Sequence, residues 1–303
     1  MGEFLVQLRG VARHPRQPKP EWLKVRMPGG GRYEHVKRTL RELNLHTVCE
    51  EASCPNVGEC WGGGTATVML MGDVCTRGCR FCDVSSGTPG PLDPLEPRHL
   101  AEAAGRLGLD YLVVTSVNRD ELPDGGASHF AQAIVELRRA APQTLVEVLT
   151  PDFQGSHEAL QMIVDARPTV AAHNLETVER LTPRVRDRRA AYRQSLDVLD
   201  FYKRGGMRTK SSIMLGLGER HDEVVQALRD LRAVDCDILT LGQYLRPSEK
   251  HLAVEEFVRP EVFSRLEREG LALGFRFVAA GPLVRSSYKA GEYFIQRWVG
   301  KGC

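Results

Sequence analysis

The chain has 303 residues, 42% of them hydrophobic, which is enough to bury a substantial core as one large α/β domain or as one domain with terminal extensions, with two domains left open. Its 41 basic and 39 acidic residues leave a formal charge of +2, which excludes a global pull toward nucleic acid or membrane and confines any charged partner to a local patch. No run approaches the roughly 18 to 20 apolar residues of a membrane span, and the start, MGEFLVQLRG, has an early acid and no long apolar stretch, so the chain reads as cytoplasmic.

Residues 1–20 mix Arg, His, Pro and Gln with little apolar periodicity and read as a mobile or surface-lying arm. The apolar and basic residues of 33–45 predict a short helix that delivers the chain to Cys49, Cys54 and Cys60, and Gly62, Gly63 and Gly64 break the pattern after them. Beyond that point, strand-type runs at 67–71, 111–115, 145–149, 169–173, 209–215 and 238–241 alternate with amphipathic stretches near 98–107, 127–140, 156–166, 190–204, 221–233 and 260–272. About six βα units with parallel strands form a partial (β/α)6 barrel of TIM type, with its active site at the strands' C-terminal ends. A doubly wound open sheet is the competing fold; the polar clusters just after the strands converge on one mouth only if the sheet curls. The expected division is an arm and cysteine-bearing extension at 1–64, the barrel at 65–258, and a C-terminal helix and segment at 259–303 that closes over the mouth.

Six of the eight cysteines fall between Cys49 and Cys82. Disulfides are rare where cytosolic reductants act, so clustered cysteines point first to metal or redox chemistry. After the first strand, MGDVCTRGCRFCDV spaces Cys75, Cys79 and Cys82 as C-x3-C-x2-C. Thiolates are soft ligands suited to iron, and three on a tight loop hold three corners of a 4Fe-4S cube, leaving one iron open to chelate a substrate. Gly78 and the basic Arg77 and Arg80 fit a loop that wraps an anionic cluster. A structural zinc site is the plain alternative; it wants four ligands and C-x2-C pairs, and there is one such pair here. Upstream, TVCEEASCPNVGECW spaces Cys49, Cys54 and Cys60 as C-x4-C-x5-C, a second candidate metal centre for which a zinc knot or an electron-conducting cluster is the plain reading.

The C-x3-C-x2-C loop, with Phe81 before its last cysteine, resembles the signature of the radical S-adenosylmethionine superfamily. There the open iron binds the amino and carboxylate groups of S-adenosylmethionine, and electron transfer releases a 5'-deoxyadenosyl radical able to take hydrogen from an unactivated C–H bond. The resemblance narrows to the lipoyl synthase family through TVCEEASCPNVGECW, MGDVCTRGCRFCDV, TSVNRDELPDGGA, AHNLETVERL, GLGE, LTLGQYLRPS and GPLVRSSYKAGEY, which run in that family's order from Lys19 to about Tyr293. It implies one 4Fe-4S cluster at Cys75, Cys79 and Cys82 for S-adenosylmethionine, and an auxiliary one at Cys49, Cys54 and Cys60, completed by a C-terminal serine. That serine is Ser287 by its position in RSSY, with Ser286 the alternative. An alkoxide is a hard donor on an otherwise soft site and is protonated and released more readily, which suits a cluster that is to be dismantled. The implied reaction inserts two sulfur atoms, at C6 and C8 of an octanoyl chain amide-linked to a lysine, with the auxiliary cluster as donor. The implied partners are an octanoylated lipoyl carrier domain (the E2 component of a 2-oxoacid dehydrogenase or the glycine cleavage H protein), an electron donor and an iron-sulfur carrier that rebuilds the donor cluster.

Around the cofactor, the resemblance places Asn174 and Glu176 near S-adenosylmethionine; read locally, Asn174 is equally a helix cap. Thr115 and Ser116 end a strand where hydroxyls reach the methionyl end, and turn formation explains them nearly as well. Gly216 and Gly218 permit close backbone approach to the adenine, while Ser212 stands where the family usually has glycine. Asn118, Glu121, Arg246, Ala253 and Lys289 also depart from the family pattern. Arg285 offers a cation to the auxiliary cluster or, plainly read, a surface salt bridge. Cys236 reads as a small buried residue and Cys303 as incidental. The run Arg180, Arg184, Arg186, Arg188, Arg189 and Arg193 is ordinarily a solvated face, and is otherwise a patch that steers an acidic carrier.

Overall fold

The computed structural model describes residues 18–24, 29–51 and 54–288. Most of the arm read over 1–20 lies outside them, as do Lys289 and Cys303. Helix α1 (Gly31–Glu42), strand β1 (His46–Thr47) and the short helices α2 (Val48–Glu51) and α3 (Val57–Gly62) precede β2 (Thr65–Leu70). A small pair, β3 (Val74–Cys75) and β4 (Ser85–Ser86), frames the second cysteine loop. Then follow α4 (Glu96–Leu107), β5 (Tyr111–Ser116), α5 (Ala127–Ala140), β6 (Leu145–Leu149), α6 (His157–Ala166), β7 (Val170–Ala172), α7 (Thr182–Val185), α8 (Tyr192–Arg204), β8 (Thr209–Leu215), α9 (His221–Ala233), β9 (Ile238–Gln243), α10 (Pro260–Ala272) and β10 (Phe277–Gly281).

One sheet takes these strands in the order β1-β2-β5-β6-β7-β8-β9-β10. Every pairing from β2 onward is parallel, and β1 runs antiparallel to β2 at the edge. Strand order follows chain order with no reversal, so the sheet lacks the switch point of a doubly wound fold and winds in one sense, as a partial barrel does. All six expected strands are present. β10 adds a seventh parallel strand beyond them, because pairing with β9 makes a strand of FVAAG, whose single β-branched residue leaves little local signal.

The strands are buried along their length, as parallel strands covered on both faces must be: all six residues of β2 and of β9 are shielded. Each fully buried Leu, Ile or Val contributes roughly 1.5–3 kcal/mol. The polar start of β8 points to the barrel floor, where Lys210 Nζ donates to both Glu147 oxygens at 2.7 and 2.9 Å, and Tyr111 Oη donates to the same carboxylate at 2.7 Å. Cys236 is wholly buried, its Sγ on the Ile238 carbonyl, as a packing residue.

Candidate active site

At the C-terminal ends of the strands lies a cavity of about 490 Å³, within the range of small-molecule sites. Its walls come from the ends of the parallel strands and the segments after them: Cys75, Cys79 and Cys82 after β2, Ser116 ending β5 and Asn118 after it, Asp152 after β6, Asn174 and Glu176 after β7, Ile213 and Met214 of β8, Tyr244 after β9, and Arg285, Ser286 and Ser287 after β10. The curled sheet therefore brings together residues more than 200 positions apart.

The Cys75 loop is held from outside by backbone and carboxylate. Arg77 N and Asn118 N donate to Cys75 Sγ at 3.4 and 3.3 Å, and Asp187 N donates to Cys79 Sγ at 3.3 Å. Asp187 Oδ2 accepts from Gly78 N at 2.9 Å, and His251 Nε2 meets the Cys82 carbonyl at 2.9 Å. Burial, backed by the charges of Cys79 and Cys75, pushes the Cys82 thiol up to about 12; burial also raises Cys79. Metal binding to such thiols must therefore release protons.

Arg77 departs from its sequence reading as a cation for a cluster. It is almost wholly buried, and its guanidinium is consumed by Asp120 and Asp152. Burial opposes its charge, but the two carboxylates outweigh that and raise its pKa; in return, burial of Asp152 is outweighed by Arg77, which lowers the carboxyl to about 2. Arg77 is a brace for the loop. The motif NRDELPDGG completes the brace: Asp120 accepts from Thr76 Oγ1, Arg119 ties Met71 to Gly90, and Asp124 caps α5 through Gly126 N and Ser128 N.

The other cysteine triad sits behind the cavity wall. Val48 and Pro55 line the cavity while Cys49, Cys54 and Cys60 do not. Cys54 N donates to the Cys49 carbonyl at 3.0 Å, and Cys60 N to the Asn56 carbonyl at 2.9 Å, so the chain turns back on itself between α2 and α3, the stretch that carries the three cysteines. The RSSY segment lies against this turn. Asn56 Nδ2 donates to the Leu283 carbonyl at 2.6 Å and Tyr288 Oη to Glu59 at 3.1 Å. Arg285 donates to the carbonyls of Gln243 and Val284, and its charge faces Cys54; burial depresses it and Cys54 opposes that. Gly242 makes the approach possible, since a Cβ there would collide with the Val284 carbonyl.

The remaining candidates fall into two groups. Ser116 Oγ and Asn174 Oδ1 are buried without a partner among the described residues, on the cavity wall. Asn174 Nδ2 donates to Glu176 at 3.1 Å, and Glu176 holds a left-handed backbone (φ 67°), a strained conformation for a residue with a Cβ. Burial raises the Glu176 carboxyl, with Arg186 and Asn174 opposing. Thr115 instead spends its hydroxyl on the Leu149 carbonyl at 2.9 Å. Gly216 and Gly218 lie outside the cavity lining; Gly216 has φ 100°, and a Cβ there would strike Gln243 and the Glu256 carbonyl. Ser212 does line the cavity.

Sequence reading did not place His173 at the site and counted Arg186 only within the basic run, yet both line the cavity. His173 Nδ1 meets the Thr150 carbonyl at 2.9 Å and Nε2 meets Ser195 Oγ at 3.0 Å, while Arg186 Nη1 donates to the same Ser195 at 2.7 Å. Burial, followed by Arg186, lowers His173 to about 4. The strand-end position of His173, directly before Asn174, was a usable signal. The basic run is largely engaged: Arg180 pairs with Glu223, Arg184 with Glu255, Arg189 with Asp187 and Asp120, and Arg193 with Glu179, while Arg186 turns inward. These surface ion pairs accord with the ordinary reading of the run as a solvated face.

Among the described residues, no three histidine, cysteine or carboxylate side chains stand close enough to enclose a single metal ion, although the thiols within each triad sense one another's charge. No helix there is long and apolar enough to cross a membrane. Three thiols on one wall, two orphaned polar atoms on another and ample volume between them fit a cluster with a polar organic cofactor. A singly wound parallel sheet with a three-cysteine loop after its first parallel strand defines a radical S-adenosylmethionine enzyme, and the sequence model of that superfamily matches residues 69–231. The fold is shared with methylornithine synthase, at a TM-score of 0.55 and 14% identity over 75% of each chain.

The model of the N-terminal domain of lipoyl synthase matches residues 7–54. A lipoyl synthase of Anaeromyxobacter sp. (strain Fw109-5) is 65% identical over 92% of this chain and 95% of its own length, and one of Thermus thermophilus is 56% identical over 97% and 93%. The chain belongs to the lipoyl synthase family. It is a sulfurtransferase that inserts two sulfur atoms, at C6 and C8, into a protein-bound octanoyl-lysine, working with S-adenosylmethionine and two 4Fe-4S clusters on an octanoylated carrier protein.

Proposed function

We propose that Cys75, Cys79 and Cys82 hold the cluster that binds S-adenosylmethionine, and that Cys49, Cys54 and Cys60 with Ser287 hold the auxiliary cluster. The observation that carries this reading is a cavity lined both by the first triad and by the RSSY segment, with Asn56, between Cys54 and Cys60, bonded to the Leu283 carbonyl just before that segment. When bound, the first cluster supplies the electron that opens the sulfonium, and the second supplies the sulfur. The chain's own groups then bind, orient and exclude water. Ser116 Oγ, Asn174 Oδ1 and the Glu176 carboxyl present polar atoms to the cofactor, which satisfies the serine and asparagine oxygens that folding leaves orphaned. Val117, Leu149, Ile213 and Val284 form an apolar wall for the octanoyl chain. Arg285 places a fixed cation beside Cys54. Both serines, 286 and 287, reach the cavity, and Ser287 is preferred by its place in RSSY.

The extension at 1–64 and the segment at 259–303 act together on this reading, because Asn56–Leu283 and Glu59–Tyr288 bonds join them, although α10 and β10 also continue the sheet of the barrel at 65–258. An electron donor must reach the first cluster and an iron-sulfur carrier must rebuild the second, both in the cytoplasm. The carriers that fit the chemistry are the E2 component of a 2-oxoacid dehydrogenase and the glycine cleavage H protein.

Anaerobically reconstituted protein is expected to hold about eight irons and eight sulfides, from two cubes. With S-adenosylmethionine, a reductant and an octanoyl-lysine peptide, it yields a two-sulfur mass gain. Cys75→Ala abolishes 5'-deoxyadenosine, whereas Cys54→Ala retains cofactor cleavage and loses sulfur transfer. Sulfur transfer by Cys54→Ala would overturn the donor assignment.

A further inference from the structure

Strand β2 ends on Leu70, in register with Ser116 of β5, whose hydroxyl is orphaned on the cavity wall. Cys75 follows a few residues later. Between them the chain turns through two left-handed residues, Met71 (φ 69°) and Gly72 (φ 87°). Glycine adopts that conformation freely, whereas a residue with a Cβ holds it only where its surroundings compel it. Met71 is such a residue, and it is buried.

Two buried side chains of opposite charge hold Met71, one by each of its backbone groups. Its N–H is shared by the two Glu96 oxygens, at 3.0 and 2.9 Å, and its carbonyl accepts from Arg119 Nη1 at 3.1 Å. Glu96 opens α4, yet it spends its oxygens on a strand end and a second helix: His129 Nε2 of α5 meets Glu96 Oε2 at 2.6 Å. Gly126, just before α5, lets that helix approach, since a Cβ there would collide with Met71 Sδ. Arg119 also closes a ring between two loops. It follows Asn118, whose N–H donates to Cys75 Sγ at 3.3 Å and whose carbonyl accepts from Thr76 N at 3.0 Å. The loops after β2 and β5 are thus tied at three places, and the turn at Met71 sets where Cys75 stands relative to Ser116.

We propose that Glu96 is a positioning residue for cofactor cleavage: with His129 behind it, it holds the left-handed turn at Met71 and so fixes the Cys75 loop against the cofactor wall at Ser116. The inference rests on Cys75, Cys79 and Cys82 carrying the cluster that binds S-adenosylmethionine. The cofactor must reach both the open iron and the polar groups of that wall, so their separation has to match its length. A loop displaced by about 1 Å lowers the rate of such a step on the order of a hundredfold. Glu96 touches neither cofactor nor cluster, and acts through the backbone of Met71.

The test uses the full chain with Cys49, Cys54 and Cys60 changed to alanine, so that only the Cys75 cluster forms, at about four irons per chain. Glu96→Gln keeps the size of the side chain and loses the paired oxygens that share the Met71 N–H. It is expected to retain its iron and the electron paramagnetic resonance signal of the reduced cluster. The change that S-adenosylmethionine induces in that signal then needs roughly tenfold more cofactor, and 5'-deoxyadenosine formation falls about a hundredfold. Adding Met71→Gly is expected to restore much of both, because glycine takes the left-handed turn unaided while Arg119 and Asn118 still tie the loop. An unchanged cofactor response in Glu96→Gln overturns the proposal, and so does a loss that Met71→Gly leaves in place, since it then comes from the missing charge and not from the turn. If Glu96→Gln loses iron or does not fold, His129→Phe decides, as it removes only the support behind Glu96: a smaller loss relieved by Met71→Gly is expected, and an unchanged response overturns the proposal. A parent triple variant whose signal does not respond to S-adenosylmethionine instead overturns the cluster assignment on which the inference rests.

Discussion

Arg77 grips Asp152 end-on, Nη1 and Nη2 donating to its two carboxylate oxygens at 2.8 and 2.7 Å, while Nε and Nη2 hold Asp120 on the other side. The pairs join loops after three different strands beneath the C-x3-C-x2-C turn. Removing one partner of a buried pair leaves an uncompensated charge and costs about 3–5 kcal/mol. Arg77→Gln is therefore expected to lower the thermal midpoint and to halve the iron content, with loss concentrated at the Cys75 triad. Arg77→Lys recovers only part of this, because an ammonium lacks the planar fork that serves two carboxylates. Circular dichroism melting and iron analysis measure both.

Two adjacent hydroxyls make opposite predictions. Ser116 Oγ has no protein partner among the described residues, so Ser116→Ala is expected to leave the melting temperature unchanged and to weaken S-adenosylmethionine binding by roughly three- to tenfold, the worth of one hydrogen bond. Thr115 Oγ1 already donates to the Leu149 carbonyl, so Thr115→Val is expected to cost about 1 kcal/mol of stability with little change in cofactor affinity. Calorimetric titration of the cofactor beside thermal melts separates them.

Gly242 controls the fit of the RSSY segment to the end of β9. Gly242→Ala pushes the Val284 carbonyl away and with it Arg285 and the serines beyond. Displacement of a reacting group by about 1 Å costs on the order of a hundredfold, so two-sulfur product should fall by about that factor. Formation of 5'-deoxyadenosine, which needs the loop on the far wall, should persist. Equal loss of both products would show that the segment does not act on sulfur transfer separately.

His173 gives stability a pH dependence of defined sign. Burial and Arg186 hold its folded-state pKa at about 4, below the ordinary 6.5. Between these values the unfolded chain binds a proton that the folded chain refuses, so stability falls as pH drops from 6.5 toward 4. The loss between pH 7 and 5 is about 2 kcal/mol. Thermal midpoints of the reconstituted protein should decline over that interval, and His173→Asn should flatten the decline.

The βα series was legible because fully buried parallel strands and amphipathic helices leave strong periodic signals, as at Tyr111–Ser116 and Ala127–Ala140. β1, two residues long, and the alanine-rich β10 carried no such signal and exist through pairing with β2 and β9. The two cysteine triads stood out in the sequence because each is packed into one short stretch, the spacing a loop needs if it is to wrap one cluster.

Sequence by itself determined the class and the family: thiol spacing, the order of the motifs and RSSY near the C-terminus are short-range patterns, set by what a tight turn can reach. Tertiary structure alone decided which of these residues are spoken for. Arg77 became a brace through Asp152, 75 positions away; Arg186 turned into the cavity, while its basic neighbours met carboxylates on other loops; and Asn56 met Leu283 across 227 positions. Burial and partnership depend on which distant segments the curled sheet brings together, and that information is spread over the whole chain.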